Sequence, residues 1–75
     1  MAIVREFHPK DLERNSKHSE VTATISLVED DAGERFVQID TYGSKDREIP
    51  GKVSQSLRLS KSAFDQLMSE GGKHF

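Results

Sequence analysis

From Glu20 the chain alternates with a period of two: Val21, Ala23, Ile25 and Leu27 fall on one side, and Thr22, Thr24 and Ser26 on the other. That pattern predicts a half-buried strand. The DDAG stretch that follows, Asp30 to Gly33, supplies residues that tolerate the left-handed backbone of a hairpin turn. RFVQIDTY then alternates again, with Val37, Ile39 and Thr41 on one side and Phe36, Gln38, Asp40 and Tyr42 on the other. The Val37 and Ile39 side is the expected core face. Phe36 and Tyr42 are thereby expected on the opposite face, where an aromatic ring needs a reason to stand.

A charged stretch, GSKDREIPGK, is punctuated by Gly43, Pro50 and Gly51 and reads as a loop. After it, Val53, Leu57 and Leu59 alternate with Ser54, Ser56, Arg58 and Ser60, with Gln55 interrupting the apolar side; this predicts a third strand. LSKSAFDQLMSEGG then carries Phe64, Leu67 and Met68 at helical spacing, with Ser60 or Ser62 as the N-cap, Asp65 as a capping-box partner three residues after Ser62, and Gly71 as the stop. The start of the chain is less regular. MAIVREF forms either a short strand through Ile3, Arg5 and Phe7 or an apolar arm. HPKDLERNSKHS reads as a loop with room for one helical turn at Lys10 to Arg14.

The predicted architecture is therefore α+β: a curved antiparallel sheet of three to four strands followed by one C-terminal helix, in the order β-β-β(-β)-α. Residues 1–75 form a single domain, with 1–19 an arm or short strand plus loop, 20–70 the sheet and helix, and 71–75 a mobile tail. A chain this short buries only about 60% of the surface its unfolded form exposes. With no cysteine to cross-link it, self-association is the expected supplement, and we expect a homodimer.

Charge sharpens the picture by its distribution. The net charge is −2, which argues against a protein that coats duplex nucleic acid by charge alone. Residues 1–43 carry five basic and nine acidic side chains, whereas residues 44–61 carry Lys45, Arg47, Lys52, Arg58 and Lys61 against Asp46 and Glu48. An anion-binding surface is thus expected in the second region, unless these are ordinary solvated charges. The N-terminal residues lack an apolar run of signal-peptide or membrane-spanning length, so a cytoplasmic protein is expected, without membrane association.

Catalytic chemistry finds little to stand on. His8, His18 and His74 match no zinc spacing. The serines of SQS and SKS have no partner histidine at a defined spacing, and no phosphate-binding glycine pattern is present. We expect neither an enzyme nor a cofactor. What remains is a surface. Strand parity gathers Thr22, Thr24 and Ser26, then Phe36, Gln38 and Tyr42, then Ser54, Ser56 and Arg58 on one face. Hydroxyls, an amide, rings and a cation suit single-stranded DNA or RNA, whose unpaired bases stack on aromatic side chains while cations hold the backbone. Lys45, Arg47 and Lys52 stand ready to track phosphates. Against this, Asp40 lies on the same face and repels phosphate, and Phe36 and Tyr42 are open to cover by the arm or by a dimer partner. The alternative reading is a dimeric protein–protein interaction module or small regulatory subunit.

The segment VQID at Val37 to Asp40, the Pro50-Gly51-Lys52 turn, Ser56 and Leu57, and a helix bearing Phe64 and Leu67 together resemble the single-stranded-DNA-binding domain of the transcriptional coactivator family called positive cofactor four, over residues 20–70. The resemblance implies a curved antiparallel sheet followed by a helix, in a homodimer that channels single-stranded DNA across its strands. By the same resemblance, Lys45, Arg47, Lys52 and Arg58 contact phosphates and Phe36 and Tyr42 meet bases.

Overall fold

The alternating segments become four strands and one helix in the computed structural model, which describes residues 1–43 and 52–75. The elements are β1 (Ala2–Val4), β2 (Ala23–Glu29), β3 (Arg35–Tyr42), β4 (Val53–Leu59) and α1 (Lys61–His74), giving a β-β-β-β-α chain order. The sheet order is β1-β4-β3-β2. β2, β3 and β4 pair antiparallel, as the alternation predicts. The N-terminal segment is a true strand, but it lies parallel to β4, so the sheet is mixed rather than wholly antiparallel. No helix forms at residues 10–14. Among the described residues, no helix is long and apolar enough to cross a membrane.

The β2–β3 hairpin is closed by its acidic turn. The Asp30 N–H donates to the Glu34 carbonyl at 2.9 Å and the Gly33 N–H to the Asp30 carbonyl at 3.0 Å. The Asp30 carboxylate also accepts the backbone N–H groups of Ala32 (3.0 Å) and Glu34 (2.9 Å). One side chain thereby satisfies two backbone donors, the usual reason for aspartate in a tight turn. Gly33 has φ +84°, a conformation that costs a residue with a Cβ roughly 1–2 kcal/mol. Nothing lies within 4 Å of a Cβ added there, so Gly33→Ala is expected to lower stability in urea unfolding by about that backbone cost and no more.

Helix α1 starts where Ser60 accepts the Ala63 N–H on its Oγ at 3.2 Å. Ser62 is not the cap. Its Oγ donates to the Arg5 carbonyl at 3.1 Å, and Asp65 pairs with Lys61 at 2.7 Å instead of closing a capping box. The helix also passes the expected stop. It runs through Gly71 and Gly72 to His74, with the Phe75 N–H donating to the Gly71 carbonyl, so most of the expected tail is helical. Glycine in a helix costs about 1 kcal/mol relative to alanine, which weakens a helix without ending it. Lys73 in the last turn favours the continuation, because a cation stabilises the carbonyl end of the helix.

The arm after β1 is tied to this helix. The Gln66 amide accepts the Phe7 N–H at 2.9 Å and donates to the Phe7 carbonyl at 2.7 Å. The Ser60 N–H donates to the Val4 carbonyl at 3.1 Å.

The core sits where α1 meets β3 and β4. Leu59, paired across the sheet with Val4 and Val37, is buried, as are Ala63 and Phe36. The apolar row of β2 departs from expectation. Its register is as predicted, with Ile25 opposite Ile39 and Leu27 opposite Val37, but Ile25 is 69% exposed and Leu27 83%. Val21 precedes the strand and is also exposed. The reason is reach. The main contacts of α1 are with β3 and β4, so the helix does not reach the β2 end of the apolar face. The helix stripe is similarly half used, since Phe64 is half-buried while Leu67 and Met68 are exposed.

Candidate nucleic-acid interface

The polar face is built by register. The row Ser26, Gln38, Arg58 and Ile3 crosses all four strands, and the row Thr24, Asp40 and Ser56 crosses three. Paired residues in a sheet project to the same side, so the hydroxyls, amide, carboxylate and guanidinium of these two rows share one surface. Tyr42 belongs to it as well, since its phenol oxygen lies 3.0 Å from Thr24 Oγ1.

A chain of side-chain hydrogen bonds runs along this face. Gln38 Nε2 donates to both carboxylate oxygens of Asp40, at 3.1 and 3.0 Å, and Gln38 Oε1 accepts the Nε–H of Arg58 at 2.7 Å. Hydrogen bonding from Ser56 and then from Gln38 holds the Asp40 carboxyl below its ordinary value, with the nearby Arg58 charge adding to the effect. Asp40 therefore stays ionised, yet its charge is engaged by neighbours on the same face. Its expected repulsion of phosphate is correspondingly reduced.

Phe36 requires a correction. It lies on this face at the register position opposite Val28, but only 4% of it is exposed, so its ring is not available to stack a base. The guanidinium groups of Arg5 and Arg58 stand 5.8 and 5.9 Å from the ring centroid, within the range of cation–π attraction. Arg5 is in turn anchored to Glu34 by two hydrogen bonds, 2.7 and 3.1 Å. The bonds from Arg5 hold the Glu34 carboxyl below its ordinary value. The N-terminal arm is thus the cover over Phe36, one of the two covers the sequence leaves open.

Among the other residues expected at the site, Gln38, Tyr42, Ser56 and Arg58 are half-buried on the face, and Lys52 is exposed just ahead of β4. Ser54 is displaced from its expected row. The register shifts between Thr41, opposite Gln55, and Tyr42, opposite Val53, which passes Ser54 over. Lys45 and Arg47 lie outside the described residues. Sequence reasoning missed three contributors, Met1, Ala2 and Ile3. With Gln38, Ser56 and Arg58 they line an open cavity of about 330 Å³ on this face. The signal was the alternation of Ile3 with Arg5, which places them on one side of a strand, but nothing in the sequence says that this strand docks beside β4. Comparison with protein-family models, with curated proteins and with solved structures finds no match.

Proposed function

We propose that this domain is a small, non-catalytic regulatory protein that binds single-stranded DNA or RNA across its polar sheet face, with little sequence preference, and acts as a homodimer. The observation that carries the reading is the face itself: Thr24, Ser26, Gln38, Ser56 and Arg58 brought into adjoining rows beside Tyr42. A groove of hydroxyls and cations with a ring at its edge binds a flexible strand without reading every base. Lys52 supplies a phosphate contact, and Tyr42 supplies the stacking surface that Phe36 does not. The resemblance of residues 20–70 to the positive cofactor four domain supports the same reading.

Fluorescence anisotropy with labelled single-stranded oligonucleotides, at two salt concentrations, tests it. Binding is expected to weaken with salt, because counterions are released when phosphates are neutralised. Lys52→Ala is expected to weaken all sequences alike and to reduce the salt slope by about 1. Tyr42→Ala is expected to cost about 1–3 kcal/mol, the value of one stacked base, whereas Tyr42→Phe retains most of the affinity. Absence of binding at low salt would end the proposal.

A second reading, a protein-interaction module, is favoured by a different observation: the exposed Ile25 and Leu27 on the other side of the sheet. The two readings use opposite faces. A second copy of the chain on the apolar face leaves the polar face free for a strand.

A further inference from the structure

The hydrogen-bond chain on the polar face fixes one group in an unusually defined way. Because Asp40 accepts only from the NH₂ end of the Gln38 amide, it turns the amide oxygen toward Arg58, where that oxygen takes the Nε–H at 2.7 Å. With Nε engaged and the Phe36 ring 5.9 Å away, the guanidinium plane is held. Its two terminal amino groups donate to no side chain among the described residues. Arg58 lines the 330 Å³ cavity together with Ser56 and Gln38, and Met1, Ala2 and Ile3 of the neighbouring N-terminal strand supply an apolar part of the lining.

We propose that this cavity is a guanine subsite within the single-strand interface, so that an otherwise unselective surface reads one base. The inference rests on the single-strand reading above. Two donors on one guanidinium match two neighbouring acceptors, and of the two purines guanine alone presents such a pair, O6 and N7. Adenine places an amino donor beside its N7 and thymine flanks its carbonyls with an N–H or a methyl group, while unpaired cytosine offers O2 and N3 together but on a single ring that covers less of the apolar Met1, Ala2 and Ile3 surface than a purine does.

A phosphate also offers paired acceptors, but the surroundings favour a base. The charges of Asp40 and Arg58 are linked through Gln38, so the cluster as a whole is close to neutral and gives an anion little net attraction. A neutral ring with a polar edge needs no such excess. The Met1, Ala2 and Ile3 wall suits the flat apolar face of a purine, whereas against a phosphate it would remove water without replacing its hydrogen bonds.

The test uses anisotropy with short labelled oligothymidine strands carrying one central guanine, adenine or 7-deazaguanine, which lacks the N7 acceptor. The guanine strand is expected to bind roughly five- to a hundredfold more tightly than the adenine strand, the range of one good bidentate contact. 7-Deazaguanine is expected to lose most of that gain. Arg58→Lys is expected to abolish the guanine preference, because a lysine keeps the charge but cannot offer two coplanar donors. Equal binding of guanine and 7-deazaguanine overturns the subsite, as does an Arg58→Gln variant that weakens every strand alike and lowers the salt slope by about 1, the mark of a phosphate contact. If no strand binds, the single-strand reading fails, and titration of free guanosine decides the subsite by itself. Backbone amide shifts at Ile3, Gln38 and Arg58 with guanosine and not with adenosine support it, and their absence overturns it.

Discussion

Phe36→Ala is expected to remove a large share of the domain's stability, even though the sequence places Phe36 on the face turned away from the aliphatic core. Phe36, Leu59 and Ala63 are the buried hydrophobic residues among those described, and Phe36 is the largest of the three. Truncating a buried phenylalanine to alanine costs about 3–5 kcal/mol. A chain of 75 residues has a total stability of roughly 4–11 kcal/mol at 0.05–0.15 kcal/mol per residue. The loss is therefore a large share of the whole. The melting temperature is expected to fall by about 12–40 °C, since each kcal/mol is worth about 4–8 °C in a domain of this size. Circular dichroism on heating reads this directly. Phe36→Leu keeps most of the buried volume beneath Arg5 and Arg58 and is expected to lose well under half as much. A melting temperature for Phe36→Ala within a few degrees of the parent would show that the ring is not part of the core.

That expectation also marks where the sequence stops being legible. Strand periodicity reports which side of a sheet a residue faces, and it did so correctly for Ile25, Ile39 and Leu57, which align across three strands. It cannot report what lies over that side. Phe36 shares a face with Gln38 and Asp40, so parity makes it an outward ring. It is covered because Arg5, 31 positions earlier in the chain, is brought over it by a three-residue parallel strand and anchored by Glu34. Leu27 is the mirror case. Parity makes it a core residue, and it is left exposed because the helix packs over the other end of the apolar face. Both departures are long-range docking decisions, set by where β1 and α1 come to rest rather than by any local pattern.

The polar site divides in the same way. Gln38, Ser56 and Arg58 were legible because they sit on unbroken alternation, whereas the place of Ser54 depends on a register shift that the serine pattern conceals. The order in which Asp40, Gln38 and Arg58 bond to one another was not legible either. Local spacing shows that Gln38 and Asp40 are two residues apart on one face, but the orientation of the amide follows only once Arg58 is paired across from it.

Leu27→Asp is expected to convert the proposed homodimer to a monomer. In the single chain Leu27 is 83% exposed and Ile25 beside it 69%, and among the described residues β2 has a hydrogen-bonded neighbour on one side only, β3. An open strand edge next to an apolar stripe invites pairing with another chain, and the edge residues Ala23 to Val28 include neither charge nor proline to discourage it. A second copy fits better than a transient partner because of the size of the core. With so few buried side chains, the fold needs its remaining apolar surface covered for as long as it is folded. Two-fold symmetry supplies that cover with the same patch on both chains. In such an interface one substitution counts twice. Each copy loses the burial of a leucine, worth about 1.5–3 kcal/mol, and gains a carboxylate without a partner in an apolar contact. The dimer dissociation constant is therefore expected to rise by at least a hundredfold, about 2.8 kcal/mol at 1.4 kcal/mol per decade. Sedimentation or light scattering at micromolar concentration measures it. Leu12→Asp is the control, since Leu12 is equally exposed but lies in the loop between β1 and β2, and it is expected to leave the dimer intact. A parent protein that is monomeric and fully folded at these concentrations would contradict the dimer, and a Leu27→Asp variant that still dimerises as tightly as the parent would place the interface elsewhere.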